Sequence, residues 1–281
     1  SKNSARITWK NQAKKTFDAR TEEFRVYPIA HRDLFLDGIE TDDETELQTL
    51  DFETLEYLKY ASGKWGGKYL RAPDIFFKIL EKGKGKLVKL GEIAEVRFGI
   101  KTGANEFFYL EPIGQPAPRG LVHVRNGAGW EGYLEAEFLK PVLKSPREVR
   151  TIRIRPEDLR YKVFMCHLSK EELRRQGKTH ALAYIEWGER QGYHQRPSCR
   201  GRPRWWDLGD RQAAKVNCNY LVDDRMRFYY CAEGVYVSDN FQELRGGDEP
   251  LPAILSVPVT QMFCELQGRT PFGGGLLKVQ T

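Results

Sequence analysis

Long apolar runs are missing from this sequence: no stretch approaches the roughly 18 residues that a membrane span needs, and the amino terminus shows no signal-peptide pattern. Cysteine is scarce. Cys166, Cys199, Cys218, Cys231 and Cys264 are an odd set without a Cys-x-x-Cys spacing, which suits a reducing cytoplasm. Cys166 with His167, and His194 with Cys199, come nearest to a metal-ligand pair, and neither matches a zinc framework. Catalytic signatures are missing too. Neither Gly63 to Lys68 nor Gly268 to Gly275 ends in the Gly-Lys-Ser/Thr of a P-loop, and there is no Gly-x-Ser-x-Gly elbow or His-Glu-x-x-His helix. No Asp-x-Lys or Glu-x-Lys triplet supports a metal nuclease, Glu81 near Lys84 being the nearest approach. The carboxylate pairs Glu171 with Glu172 and Asp223 with Asp224 are adjacent, so a helix or strand points them apart. As a self-contained hydrolase the chain is a poor candidate.

What is present describes a globular chain of 281 residues, enough for about two domains, with 40% hydrophobic and 30% charged side chains. It begins at Ser1, which leads us to expect a processed chain or an excised piece of a longer one. The formal charge of +6 is unevenly spread. Residues 1 to 60 carry a net −4, 61 to 139 a net +3 and 205 to 281 a net −3. Residues 140 to 204 hold 17 basic and 7 acidic side chains, a net +10. A single-sign cluster in an otherwise balanced protein is the footprint of a polyanion site; a solvated basic face is the alternative.

Extended pieces are expected around Arg6 to Trp9 and Phe24 to Ile29, followed by an acidic loop from Thr41 to Glu46 and helical spacing from Leu47 to Leu58. Pro73 opens an amphipathic helix that stops at Gly83, and Lys82 to Lys86 reads as a basic linker, so a boundary near residue 86 divides the chain. Beyond it, strands are expected at Ile93 to Phe98 and Glu106 to Leu110, flanking a loop from Gly99 to Asn105. Asn126-Gly127 marks a hairpin between Leu121 to Arg125 and Trp130 to Leu134, and Ala232 to Gly234 a second between Arg227 to Cys231 and Val235 to Ser238. Ser169 with Glu172 forms a capping box, Thr179 to Trp187 is helical, and a last helix runs from about Pro258 to Gln267. The expected class is α+β, with mainly antiparallel strands and interspersed helices. Two glycines in the Gly99 to Gly103 loop permit close approach to a ligand, with Arg97, Lys101, Thr102 and Asn105 as donors; an ordinary strand connection is the plainer reading.

The run Leu90-Gly91-Glu92-Ile93-Ala94-Glu95-Val96-Arg97-Phe98-Gly99-Ile100-Lys101-Thr102-Gly103-Ala104-Asn105-Glu106-Phe107-Phe108-Tyr109-Leu110 closely resembles the opening of the target recognition domain of adenine-specific DNA methyltransferases, including single-chain restriction and modification enzymes. Other pieces agree in order. Lys64 to Arg71 resembles the junction with the methyltransferase domain, Phe138 to Leu143 the approach to the basic region, and Arg204-Trp205-Trp206-Asp207-Leu208 the aromatic segment. Val235 to Asn240 resembles the later hairpin, and Gly268-Arg269-Thr270 with Gly273 to Lys278 the closing turn. Where the family often shows Asn-Ser before the last helix, this chain has Ser256-Val257-Pro258, with Ser256 able to cap and Pro258 suited to a first turn.

The resemblance implies residues 1–86 as the end of a methyltransferase domain of α/β type plus linker helices, and residues 87–281 as the recognition domain. It implies S-adenosylmethionine as cofactor of the parent enzyme, and none for this chain. The Asn/Asp-Pro-Pro-aromatic motif of the catalytic domain is absent, since the sequence has no Pro-Pro dipeptide. Partners would be double-stranded DNA and the missing catalytic domain, in the cytoplasm, with no membrane. Candidate DNA-binding residues are Arg97, Lys101, Thr102, Asn105, Lys144, Arg147, Arg150, Arg202, Arg204 and Arg269. Lys140, Arg153, Arg155, Arg196 and Arg200 could also neutralise phosphates. Plainer roles compete: Arg153 and Arg155 as the solvent face of a strand, Trp205 or Trp206 as core, Arg269 on helix-end carbonyls, and Lys170, Arg174 and Arg175 as surface ion partners. A stand-alone RNA-binding or interaction module, and a metal-dependent nuclease using Glu157, Asp158 or Asp74, are the other function classes.

Overall fold

Short strands joined by glycine turns give a largely antiparallel architecture. The structure, a computed structural model, describes residues 19–20, 25–26, 29–36, 66–114, 116–222, 224–268 and 277–278. It divides into two units, Ser1–Pro73 and Asp74–Thr281. In the first, β1 (Ala19–Arg20) pairs antiparallel with β2 (Arg25–Val26), α1 spans His31–Leu36, and a π-helical turn covers Gly66–Arg71. The expected acidic loop at 41–46 and the helical spacing at 47–58 lie outside the described residues.

The second unit holds two main sheets. Strands β3 (Glu95–Phe98), β8 (Arg153–Ile154), β10 (Val216–Asn219), β12 (Phe228–Cys231) and β14 (Phe241–Arg245) form a five-stranded sheet in the order β3-β14-β10-β12-β8. Strands β4 (Tyr109–Pro112), β5 (Leu121–Asn126), β6 (Glu131–Glu135), β7 (Leu139–Leu143), β9 (Tyr161–Phe164) and β13 (Tyr236–Val237) form a six-stranded sheet in the order β13-β7-β9-β4-β5-β6. A short ladder joins β11 (Leu221–Val222) to β15 (Leu277–Lys278). Only β12 with β8 and β13 with β7 pair in parallel among these ladders. Helices α2 (Asp74–Gly83), α3 (Leu90–Ile93), α4 (Asn105–Phe108), α5 (Lys170–Arg175), α6 (Thr179–Arg190), α7 (Pro197–Arg200), α8 (Pro250–Leu255) and α9 (Pro258–Gln267) are interspersed. The class is therefore mixed α+β, as expected. No helix among the described residues is long and apolar enough to cross a membrane.

Burial explains where the chain departs from its expected elements. The segment from Glu106 to Leu110 starts as the helical turn α4 rather than a strand. In a strand, Phe107 and Phe108 would point to opposite faces. The turn instead buries both, and Phe107 stacks on Tyr184 with ring centres 4.4 Å apart. Likewise Leu90–Ile93 is helical and the strand begins only at Glu95. Ala232 to Gly234 does turn, with Gly234 at φ +76°, but it makes no hairpin: β12 belongs to one sheet and β13 to the other. Val235 and Val237 pack there with Leu143, Ile154, Tyr229 and Phe241, so the turn carries the chain from sheet to sheet into a shared core. Ser256 does not cap α9, because its hydroxyl donates to Pro252 O at 2.6 Å and closes α8.

Locally encoded elements form as read. Asn126 Oδ1 accepts from the N–H groups of Ala128 and Trp130, both at 2.9 Å, and closes the β5–β6 hairpin. Ser169 and Glu172 make the capping box at α5. Trp205 and Trp206 are both core, each 7% exposed, with indole N–H groups donating to Glu189 and to Leu168 O. Lys170 pairs with Glu189, and Arg174 with Glu171 and Glu186.

Helix α6, which carries Tyr184, is capped from outside its own sequence. Lys178 at its N-cap offers no side-chain bond, and the buried Glu135 carboxylate accepts from His180 N at 3.2 Å and Ala181 N at 2.8 Å. Glu135→Ala leaves two N–H groups unpaired at the positive end of the helix dipole and is expected to cost about 2 kcal/mol. The neighbouring Glu137→Ala removes only the partly exposed pair with Lys178 and is expected to cost under about 1 kcal/mol. Urea denaturation of the two variants checks the contrast; equal midpoints would reject the capping role.

Candidate nucleic-acid interface

The glycine loop is knitted into the protein by backbone bonds. Gly99 N donates to Phe241 O at 3.0 Å, Ile100 N to Val237 O at 2.8 Å, and Asp239 N to Ile100 O at 3.1 Å. Ile100 and Ser238 form a parallel bridge. Ser238 Oγ and Asn240 Nδ2 then donate to Lys144 O at 2.7 and 2.9 Å. Through Ser238, the backbone at Lys101 is held in register with the end of β7. Its neighbourhood resembled a family segment, but nothing local in the sequence marks Ser238 as a link.

The glycines themselves face protein. A Cβ at Gly99 would meet Ser238 O at 2.1 Å, and one at Gly103, whose φ is +76°, would meet Ser198 Cβ at 2.5 Å. The expectation that they leave room for a ligand is corrected: the room is filled by the 238 turn and by α7. Thr102 is also corrected. It is fully buried, its hydroxyl donating to Asn105 Oδ1 and accepting from Ala104 N at 3.2 Å. Asn105 is exposed, its carbonyl oxygen taken by Thr102.

Arg202 acts as an anchor. Its Nη2 donates to Lys101 O at 2.9 Å and Thr102 O at 2.8 Å, and its Nη1 to Trp205 O at 3.2 Å. Arg204 forks onto Asp207 at 2.7 Å, and Asp207 also meets His167 Nδ1 at 2.7 Å. Arg97 pairs with Glu95 at 2.6 Å, one exposed side chain on another. Arg269 lies outside the described residues.

Beside the loop lies a cleft of about 330 Å³ whose lining includes Asn105, Glu106, Glu111, Arg125, Lys144 and Tyr161. Its carboxylates are engaged by arginines: Glu111 binds Arg125, which also lines the cleft, at 2.8 Å and Arg160 at 2.7 Å, and Glu106 binds Arg196. Hydrogen bonds from these arginines hold both carboxyls below the usual carboxylate range. Lys144 differs. Its Nζ stands 4.4 Å from the Tyr161 ring centre and 5.4 Å from that of Tyr109, and it forms no ion pair among the described residues. Two ring faces fix an ammonium by cation–π attraction without cancelling its charge. Lys101, Lys140, Arg147 and Arg200 likewise form no ion pair among the described residues, and Lys101, Arg147 and Arg200 are exposed.

The structure thus gathers Lys101, Thr102, Asn105, Lys144 and Arg202 around the loop, with Arg97 two residues ahead of it and Arg147 on the turn after β7. Arg150 lines a separate groove. Arg153 pairs with Glu249, and Arg155 stands 4.0 Å from Glu157. Much of the net +10 segment is therefore cancelled by carboxylates, several distant in sequence. No group of His, Cys, Asp and Glu suited to a metal ion occurs among the described residues, and burial pushes the Cys166 thiol up to about 11.

Residues 134–280 match the family described as the type II methyltransferase M.Eco57I, C-terminal domain. Among solved structures, the chain is similar to the type IIG restriction endonuclease BpuSI, with a TM-score of 0.43 and 12% identity over 81% of this chain and 26% of that one. The chain thus spans about a quarter of that enzyme's length. No curated protein matches the sequence.

Proposed function

We propose, from the premise that this chain belongs to the family of the type II methyltransferase M.Eco57I C-terminal domain, that it recognises a specific sequence in double-stranded DNA for an adenine-specific methyltransferase of a restriction–modification system. The observation that carries this reading is Lys144: a cation held over two tyrosine rings, with no ion pair within 4 Å among the described residues, lining a cleft beside the glycine loop.

A base inside a duplex must be extruded to be methylated, and contacts elsewhere on the DNA offset the unstacking. Lys101, Lys144 and Arg147 supply those contacts as phosphate ligands that set register. Asn105 reads a base edge as a donor only, through its NH₂, because Thr102 occupies its oxygen. Arg202 holds the loop from which Lys101 and Asn105 project. S-adenosylmethionine belongs to the catalytic part of the parent enzyme, a cytoplasmic protein. The glycine loop among the described residues does not fit that cofactor, since it is packed on Ser238 and Ser198, and the sequence has no Pro-Pro motif to hold the target adenine.

Duplex binding against random competitor DNA tests the reading, with selection from a random pool giving the site. Lys144→Ala is expected to weaken binding about tenfold at moderate salt and to reduce the slope of log affinity against log salt by about 0.9, one phosphate's worth. Equal affinity for all unrelated duplexes would overturn sequence recognition, and an unchanged slope would remove Lys144 from the interface.

A further inference from the structure

A groove of about 840 Å³ in the second unit is lined by Val149 to Ile152, by the turn leading into β12 and by one face of α9. Arg150, Arg225 and Arg227 all line it. Gln261 on α9 holds the arginine-bearing turn, its Nε2 donating to Met226 O at 2.9 Å and its Oε1 accepting from Met226 N at 2.8 Å. Against these cations stand Asp224, exposed, 3.3 Å from Arg227 and 3.9 Å from Arg225, and Glu265 on the groove wall. Arg150 forms no ion pair among the described residues. Tyr229, only 2% exposed, also lines the groove, and its hydroxyl sits beside Arg227 without a hydrogen bond of good geometry. Thr151 and Ser256 donate their hydroxyls to Arg153 O and Pro252 O, and the rest of the lining is apolar, with Ile152 55% exposed.

Guanidinium forks over an apolar floor match a sugar–phosphate backbone, with phosphate oxygens on the arginines and deoxyribose carbons on Met262 and Ile152. The groove offers few groups able to tell one base from another. We propose that it is a second DNA contact, a seat for the backbone of one strand that contributes affinity and register but no sequence preference. The proposal rests on the DNA reading above.

The test uses the full chain with a random-sequence duplex, and tripolyphosphate as a small probe of the same charge type. The double variant Arg150→Gln with Arg225→Gln is expected to lose tenfold or more in affinity for every duplex. Its salt slope should fall by about 0.9 for each contact removed. The ratio between selected and unrelated sequences should stay constant, and tripolyphosphate binding should fall too. Glu265→Gln, which removes a carboxylate from the wall, is expected to raise affinity, an opposite sign that loss of structure would not produce. Wild-type duplex binding with an unchanged double variant would overturn the groove and leave the DNA reading standing. Tripolyphosphate binding with no duplex binding by the wild type would overturn the DNA reading, and the DNA occupant of the groove with it.

Discussion

Gly99→Ala is expected to destabilise the chain by about 3 kcal/mol or more and to lower Tm by roughly 6–12 °C. The added Cβ would lie 2.1 Å from Ser238 O and 2.7 Å from both the Ser238 carbonyl carbon and Val237 O. These are backbone atoms, so no rotamer change relieves the overlap. Nor can the turn retreat without loss, because Ser238 N donates to Leu143 O at 3.1 Å and Ser238 Oγ to Lys144 O at 2.7 Å. Alanine must therefore part the loop from the 238 turn, and the register between Lys101 and Lys144 goes with it. Gly91→Ala, on the short helix α3 with nothing within 4 Å of its Cβ, is the control and should stabilise by about 0.5–1 kcal/mol. Thermal melts of both variants decide the matter. If Gly99→Ala melts within a degree of wild type, the close approach is not structural.

The same residue shows where the sequence could be read and where it could not. Asn126, Ser169 with Glu172, and the α9 span from Pro258 to Gln267 were legible because the groups that make a turn or a cap lie within a few residues of each other. Gly99 was legible as a glycine with a purpose, but its reason is Ser238, some 140 residues on in the chain. The supposed hairpin at Ala232 to Gly234 failed for the same cause, since a turn residue does not say which strand receives the chain after it. Charge was hardest. Arg196 is answered by Glu106, Arg153 by Glu249 and Lys178 by Glu137, so a local excess of +10 overstated the free cations. Lys144 belonged to that excess from the start, and only the two tyrosine faces distinguish it from its neighbours.

Arg202 gives the sharpest functional contrast with Lys144. Read from the sequence, it is a DNA contact; in the structure its donors are spent on the carbonyls of Lys101, Thr102 and Trp205. Arg202→Ala should therefore cost about 2 kcal/mol in stability by leaving those carbonyls short of donors. It should also reduce discrimination between selected and unrelated duplexes by roughly tenfold or more, as the loop carrying Lys101 and Asn105 loses its anchor. Its salt slope should match wild type, because no phosphate contact is removed. Arg202→Lys separates the two roles. A single ammonium cannot replace a fork that spans three carbonyls, so lysine should behave like alanine. At a phosphate contact, lysine would keep the charge and most of the slope. Lost discrimination with a wild-type slope in both variants assigns Arg202 to the loop. A slope about 0.9 lower in the alanine variant, restored by lysine, would place its guanidinium on the DNA instead.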